Sequence, residues 1–143
     1  MINNARISKD NYYLNIAKAV ALRSTCLRRR YGCVIVKNDE IIATGYNGAP
    51  RTLPNCCDIH TECPRKSKSH NSGDYSDCPA VHAEQNAMLS ARRQDMLDGT
   101  IYLYGLDDEW NPLNDVSPCP ICMRMIQNTG IKKIVTPSQT IPV

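Results

Sequence analysis

Two short motifs far apart in the chain constrain it more than anything else: Pro79-Ala80-Val81-His82-Ala83-Glu84 and Pro118-Cys119-Pro120-Ile121-Cys122. The first offers an imidazole and a carboxylate two residues apart, the second a pair of thiols at Cys-x-x-Cys spacing. Alone, each is weak. His-Ala-Glu is common in helices, and a single Cys-x-x-Cys serves redox pairs and half-sites of structural zinc alike. Together they supply one nitrogen and two sulfurs, which suits a zinc ion that keeps three protein ligands and one open position. His82, Cys119 and Cys122 are the expected ligands. Glu84 is then a spare carboxylate beside the ion, placed for general acid/base work.

Both motifs open helical patterns. Val81 to Arg93 reads as a helix with Ala83, Ala87, Met88 and Ala91 inward, and Cys119 to Asn128 as another, closed by Gly130. An earlier helix spans 11–25, with Tyr13, Ile16, Ala17, Val20 and Ala21 on one face and Asp10 as its N-cap. Cys33–Val36 and Ile41–Thr44 form a hairpin, and Thr100–Tyr104 and Ile131–Val135 are further strands. The order α-β-β-loop-α-β-α-β predicts a mixed sheet with helices on its faces, both ligand-bearing helices starting near one edge. At 143 residues the chain is expected to be one domain, ending soon after its fourth strand.

Between the hairpin and the first motif lies Gly45-Tyr46-Asn47-Gly48-Ala49-Pro50, read as a turn whose glycines adopt unusual backbone angles. Asn47 either binds a sugar hydroxyl or phosphate oxygen, or holds the turn together. Residues 51–80 are polar, without periodicity, and hold Cys56, Cys57, Cys63 and Cys78 with His60 and His70. Such a segment lacks apolar material to fold on, and a structural zinc would supply the missing stabilisation. A second zinc is expected from Cys26, Cys63, Cys78 and one of Cys56 or Cys57, with His60 or His70 as substitutes. Free thiols or a disulfide are the competing reading.

Eight cysteines without a signal-peptide pattern in Met1–Asp10 point to a reducing compartment, and a cytosolic location is expected. No apolar run approaches the roughly 18 residues of a membrane helix, so no membrane partner is expected. A net charge of +3, one tryptophan and no phenylalanine argue against a polynucleotide groove. The run Arg28-Arg29-Arg30, like Arg92-Arg93, is either a solvated face or a phosphate contact. A non-enzymatic zinc module would explain the cysteines but leave Glu84 without a purpose.

Over about residues 20–135 the chain resembles the deoxycytidylate deaminases of the zinc-dependent cytidine deaminase superfamily. The resemblance rests on Ser24-Thr25-Cys26-Leu27-Arg28-Arg29, Gly45-Tyr46-Asn47-Gly48, Cys78-Pro79-Ala80-Val81-His82-Ala83-Glu84-Gln85-Asn86-Ala87 and Pro118-Cys119-Pro120-Ile121-Cys122. It implies a three-layer α/β/α fold and hydrolysis of dCMP to dUMP and ammonia, with Glu84 as proton shuttle. It also implies that Asn47, Tyr46, Ala83 and Asn86 contact substrate and that Arg93 is coupled to nucleotide binding. Tyr104, where relatives carry threonine, is assigned to the substrate as well. A structural zinc near Cys26, Cys56 and Cys78, a hexamer, and dCTP and dTTP as effectors with Mg2+ belong to the same pattern. The loop 105–118 through Trp110 and Asp115 is longer than in relatives, and dCTP is a candidate second substrate.

Overall fold

In a computed structural model, which describes residues 5–70 and 76–143, five strands form one mixed sheet in the order β2-β1-β3-β4-β5. β1 (Arg30–Lys37) pairs antiparallel with β2 (Glu40–Tyr46) and with β3 (Thr100–Leu106). β3 runs parallel to β4 (Lys133–Val135), and β5 (Thr140–Pro142) closes the far edge antiparallel.

Strand alternation sorts the core into two layers. Val34, Val36, Tyr102 and Val135 face one way, onto Tyr13, Leu14 and Ala17 of α1 (Lys9–Ala21). Cys33, Ile35, Ile101, Leu103 and Ile134 face the other way. They meet Ala83, Ala87 and Met88 of α3 (Ala83–Leu89) and Ile126 of α5 (Pro120–Thr129). The three-layer α/β/α arrangement read from the sequence is the one observed.

Several boundaries differ from the expectation. α1 begins at Lys9 because the Ser8 hydroxyl, not Asp10, caps it, accepting from the Asn11 amide at 3.1 Å. It ends at Ala21, and Ser24 instead donates to the Asn47 side chain at 2.6 Å. A short helix, α2 (Cys56–Ile59), stands in the segment read as irregular. The single helix expected over 81–93 is two: α3 tightens at Ser90 and Ala91, and α4 (Arg93–Met96) starts after an extended Arg92. β5 was not expected at all.

The glycines of the Gly-Tyr-Asn-Gly stretch also work differently. Among the described residues the only glycine with positive φ is Gly130, at 82°, the left-handed cap of α5. Gly45 and Gly48 are needed for space. A Cβ on Gly45 would meet the backbone of α3, and one on Gly48 would lie 2.7 Å from Thr25 Oγ1.

Candidate metal centre and cavity

The two helix starts are set independently and converge. Gly48 and Val81 exchange backbone hydrogen bonds at 3.1 and 2.7 Å, which places the residue before His82 against the end of β2. His82 is the extended N-cap of α3, its amide donating to Gln85 Oε1 at 2.8 Å. At α5, Cys119 is the N-cap, its sulfur accepting from the Cys122 amide at 3.4 Å, with Pro120 at the first helical position.

His82 Nδ1 lies 3.6 Å from Cys119 Sγ and 3.3 Å from Cys122 Sγ. Among the described residues this is the one group of three whose ligand atoms all fall within 4.8 Å of each other. One imidazole nitrogen and two sulfurs converging from two helix starts fit a zinc ion with a fourth position open. The site's electrostatics point the same way. Hydrogen bonds from Cys122 and His82 push Cys119 down to about 3, while Cys122 is pushed up by its hydrogen bond to Cys119 and by burial. His82 is raised, mainly through its hydrogen bond to Cys119. An anionic sulfur beside an imidazole is a group waiting for a cation.

Glu84 is buried in the first turn of α3 and only 5% exposed. Burial raises its pKa, opposed by its own backbone N–H and by His82. A carboxyl held above its ordinary range is suited to both taking and returning a proton.

A cavity of about 160 Å³ opens beside this group, lined by His82, Glu84 and Cys119 together with Arg29, Tyr31 and Asn47. Asn47 is nearly saturated by the protein itself: Oδ1 accepts from Ser24 Oγ at 2.6 Å and the Tyr31 amide at 2.8 Å, and Nδ2 donates to the Arg29 carbonyl at 2.9 Å. It lines the cavity and also ties the approach to β1 onto the end of β2. Ala83 is buried in the core under α3. Asn86 donates to the Tyr46 carbonyl at 2.8 Å, joining α3 to β2.

Of the six expected substrate residues only Asn47 is among those lining the cavity; Tyr46, Ala83, Asn86, Tyr104 and Arg93 are not. Tyr104 follows the parity of Tyr102 and packs on the α1 side of the sheet, because successive residues of β3 point to opposite faces. Arg93 opens α4 and donates to the Asn128 carbonyl at 3.0 Å. Of the second set of thiols, Cys26, Cys56, Cys63 and Cys78 line the same cavity, whereas Cys57 is exposed outside it. Burial, with the neighbouring sulfurs, pushes Cys26 up to about 12 and raises Cys56, yet the four sulfurs are not closed to ligand spacing. Sequence reasoning gave Tyr31 and Arg65 no role and saw Asp115 only as part of the 105–118 loop. Arg65 is 4% exposed and anchors the polar segment, its carbonyl accepting from Arg28 at 3.0 Å.

Residues 7–138 match the family model for the cytidine and deoxycytidylate deaminase zinc-binding region. The chain belongs to this family. It is 40% identical over 134 residues to the deoxycytidylate deaminase of Schizosaccharomyces pombe, aligning 93% of this chain but 38% of that protein's length. With the deoxycytidylate deaminase of Mycobacterium phage D29 it shares 37% identity over 92% of this chain and 95% of the relative. Among solved structures, the chain is similar to the dCMP deaminase of cyanophage S-TIM5 in complex with dCMP and dUMP. The match has a TM-score of 0.62 and 26% identity, over 92% of this chain and 83% of that one. Among the described residues no helix is long and apolar enough to cross a membrane.

Proposed function

We propose that this chain hydrolyses the C4 amine of dCMP, giving dUMP and ammonia. The observation that carries the reading is the buried Glu84 carboxyl beside the convergent His82, Cys119 and Cys122. The choice of dCMP is supported by the phage D29 relative, matched over nearly its whole length, and by the S-TIM5 enzyme that holds dCMP and dUMP.

A zinc ion held by His82, Cys119 and Cys122 would supply an acidified water at neutral pH. Glu84 accepts a proton from the attacking water and delivers it to N3 of the cytosine. A C4–O bond forms as the ring takes up the proton. Glu84 then takes the proton of the new C4 hydroxyl and passes it to the departing amine, the C4–N bond breaks as the C4 carbonyl forms, and ammonia leaves. One carboxyl serves both transfers because it is within reach of water and base in turn.

The same reading makes the chain a single deaminase domain whose 51–80 segment is tied by a second zinc at Cys26, Cys56, Cys63 and Cys78. Cys56 is preferred to Cys57, which is exposed. It further takes dCTP as a second substrate, dCTP and dTTP as effectors with Mg2+, a homohexamer and a cytosolic location. The test is a panel of cytidine, deoxycytidine, dCMP and dCTP with zinc-replete protein, following ammonia and the uracil product. Fastest turnover is expected with dCMP. Absence of ammonia release from dCMP overturns the proposal, and metal analysis giving one zinc per chain removes the second ion.

A further inference from the structure

We propose that Arg29 reads the phosphate of the substrate, a role that rests on the deoxycytidine nucleotide reading above. The three consecutive arginines part company in the fold. Arg30 turns to the α1 side of the sheet, where its guanidinium lies 3.8 Å from the Trp110 ring centroid and donates to the Asp107 carbonyl at 2.9 Å. Arg28 is committed to the polar segment through the Arg65 carbonyl. Arg29 shares the parity of Tyr31 and lines the cavity with Glu84 and His82.

The guanidinium of Arg29 is partly enclosed, its side chain 24% exposed. It is held through one nitrogen only: Nη1 donates to the Tyr31 hydroxyl at 3.4 Å and to both Asp115 oxygens at 3.4 Å. Nε and Nη2 donate to no group among the described residues. A guanidinium carries five N–H donors in a rigid fork, so the Nε and Nη2 edge, with three of them, stays uncommitted. That edge matches two oxygens of a phosphate, and Arg keeps its charge in such a place.

Its place relative to the chemistry fits a nucleotide. The Tyr31 hydroxyl accepts from Arg29, and both residues line the same cavity as the proton-transferring Glu84. A pyrimidine ring at Glu84 would then project its sugar and phosphate past Tyr31 toward Arg29. Asp115, 58% exposed on the 105–118 loop, steadies the opposite edge of the fork from solvent.

The test compares dCMP with deoxycytidine in wild type, Arg29→Gln, Arg29→Lys and Arg28→Gln, with dUMP and deoxyuridine binding measured by calorimetry. For Arg29→Gln, the dCMP KM and the dUMP Kd are expected to rise by at least about tenfold, the scale of a charge-assisted pair. The kcat for dCMP, the kcat/KM for deoxycytidine and the deoxyuridine Kd stay within about twofold, since only phosphate contacts are lost. Arg29→Lys recovers part of the dCMP loss, which a generally damaged fold would not allow. An unchanged dCMP KM in Arg29→Gln, an equal loss with deoxycytidine, or a loss seen only in Arg28→Gln overturns the assignment. Wild-type protein that deaminates neither substrate overturns instead the functional reading beneath it.

Discussion

A Cβ added to Gly45 would stand 2.4 Å from the Ala87 amide nitrogen and 2.5 Å from the Ala83 carbonyl oxygen. α3 therefore lies on β2 as closely as a backbone can, and this approach holds His82 and Glu84 at their height above the sheet. Gly45→Ala is expected to destabilise the fold by about 1–3 kcal/mol through overpacking. Turnover should fall further than stability, because roughly 1 Å of misplacement in a catalytic group costs about a hundredfold. Urea unfolding and kcat on the same preparation check both; a variant with full stability and full kcat contradicts the account.

Glu84→Gln keeps the size of the buried side chain and removes its capacity to accept a proton. Metal content and melting temperature should stay near wild type while kcat falls by at least about 10²–10⁴-fold. Zinc analysis beside a dCMP assay decides it, and substantial residual turnover would take Glu84 out of the shuttle.

Cys122 has no solvent exposure, and its sulfur faces His82, whereas Cys57 is exposed. Cys122→Ala should lose the catalytic ion and all activity. Cys57→Ala should leave both metal content and activity intact. Zinc stoichiometry after dialysis separates them.

On the opposite face of the sheet the Tyr13 hydroxyl donates to Asp39, which also pairs with Lys9. Donation to a carboxylate favours the neutral phenol and pushes Tyr13 up to about 12 from its ordinary 10. A raised folded-state pKa means stability that is complete below pH 10 and drains away as pH climbs through 12. Asp39→Asn should bring the Tyr13 titration back toward its ordinary value, read from tyrosinate absorbance. No movement of that titration would disprove the coupling.

The sheet and the metal group were legible because each leaves a short-range trace. The β-rich runs Cys33–Val36 and Thr100–Tyr104 marked the central strands, and His-x-Glu with Cys-x-x-Cys marked the donors. Other parts had no such trace. Thr140–Pro142 is too short for periodicity and contains a proline that only an edge strand tolerates. Gly45 looked like a turn glycine because sequence shows the missing side chain without showing what presses on it. Arg29 and Asp115 meet only because β1 pairs with β3, which carries the loop after Leu106 alongside residue 30. Tyr104 lies on the α1 side of the sheet by strand parity, which a motif resemblance does not register.

The chain's sole indole, Trp110, sits on that same loop, stacked on Arg30 and 48% exposed rather than embedded among the core residues. Intrinsic fluorescence is thus a lamp hung at the doorway. Its emission follows the segment that carries Asp115, and a melting curve recorded from it will trace the loop's release, while circular dichroism traces the collapse of the interior.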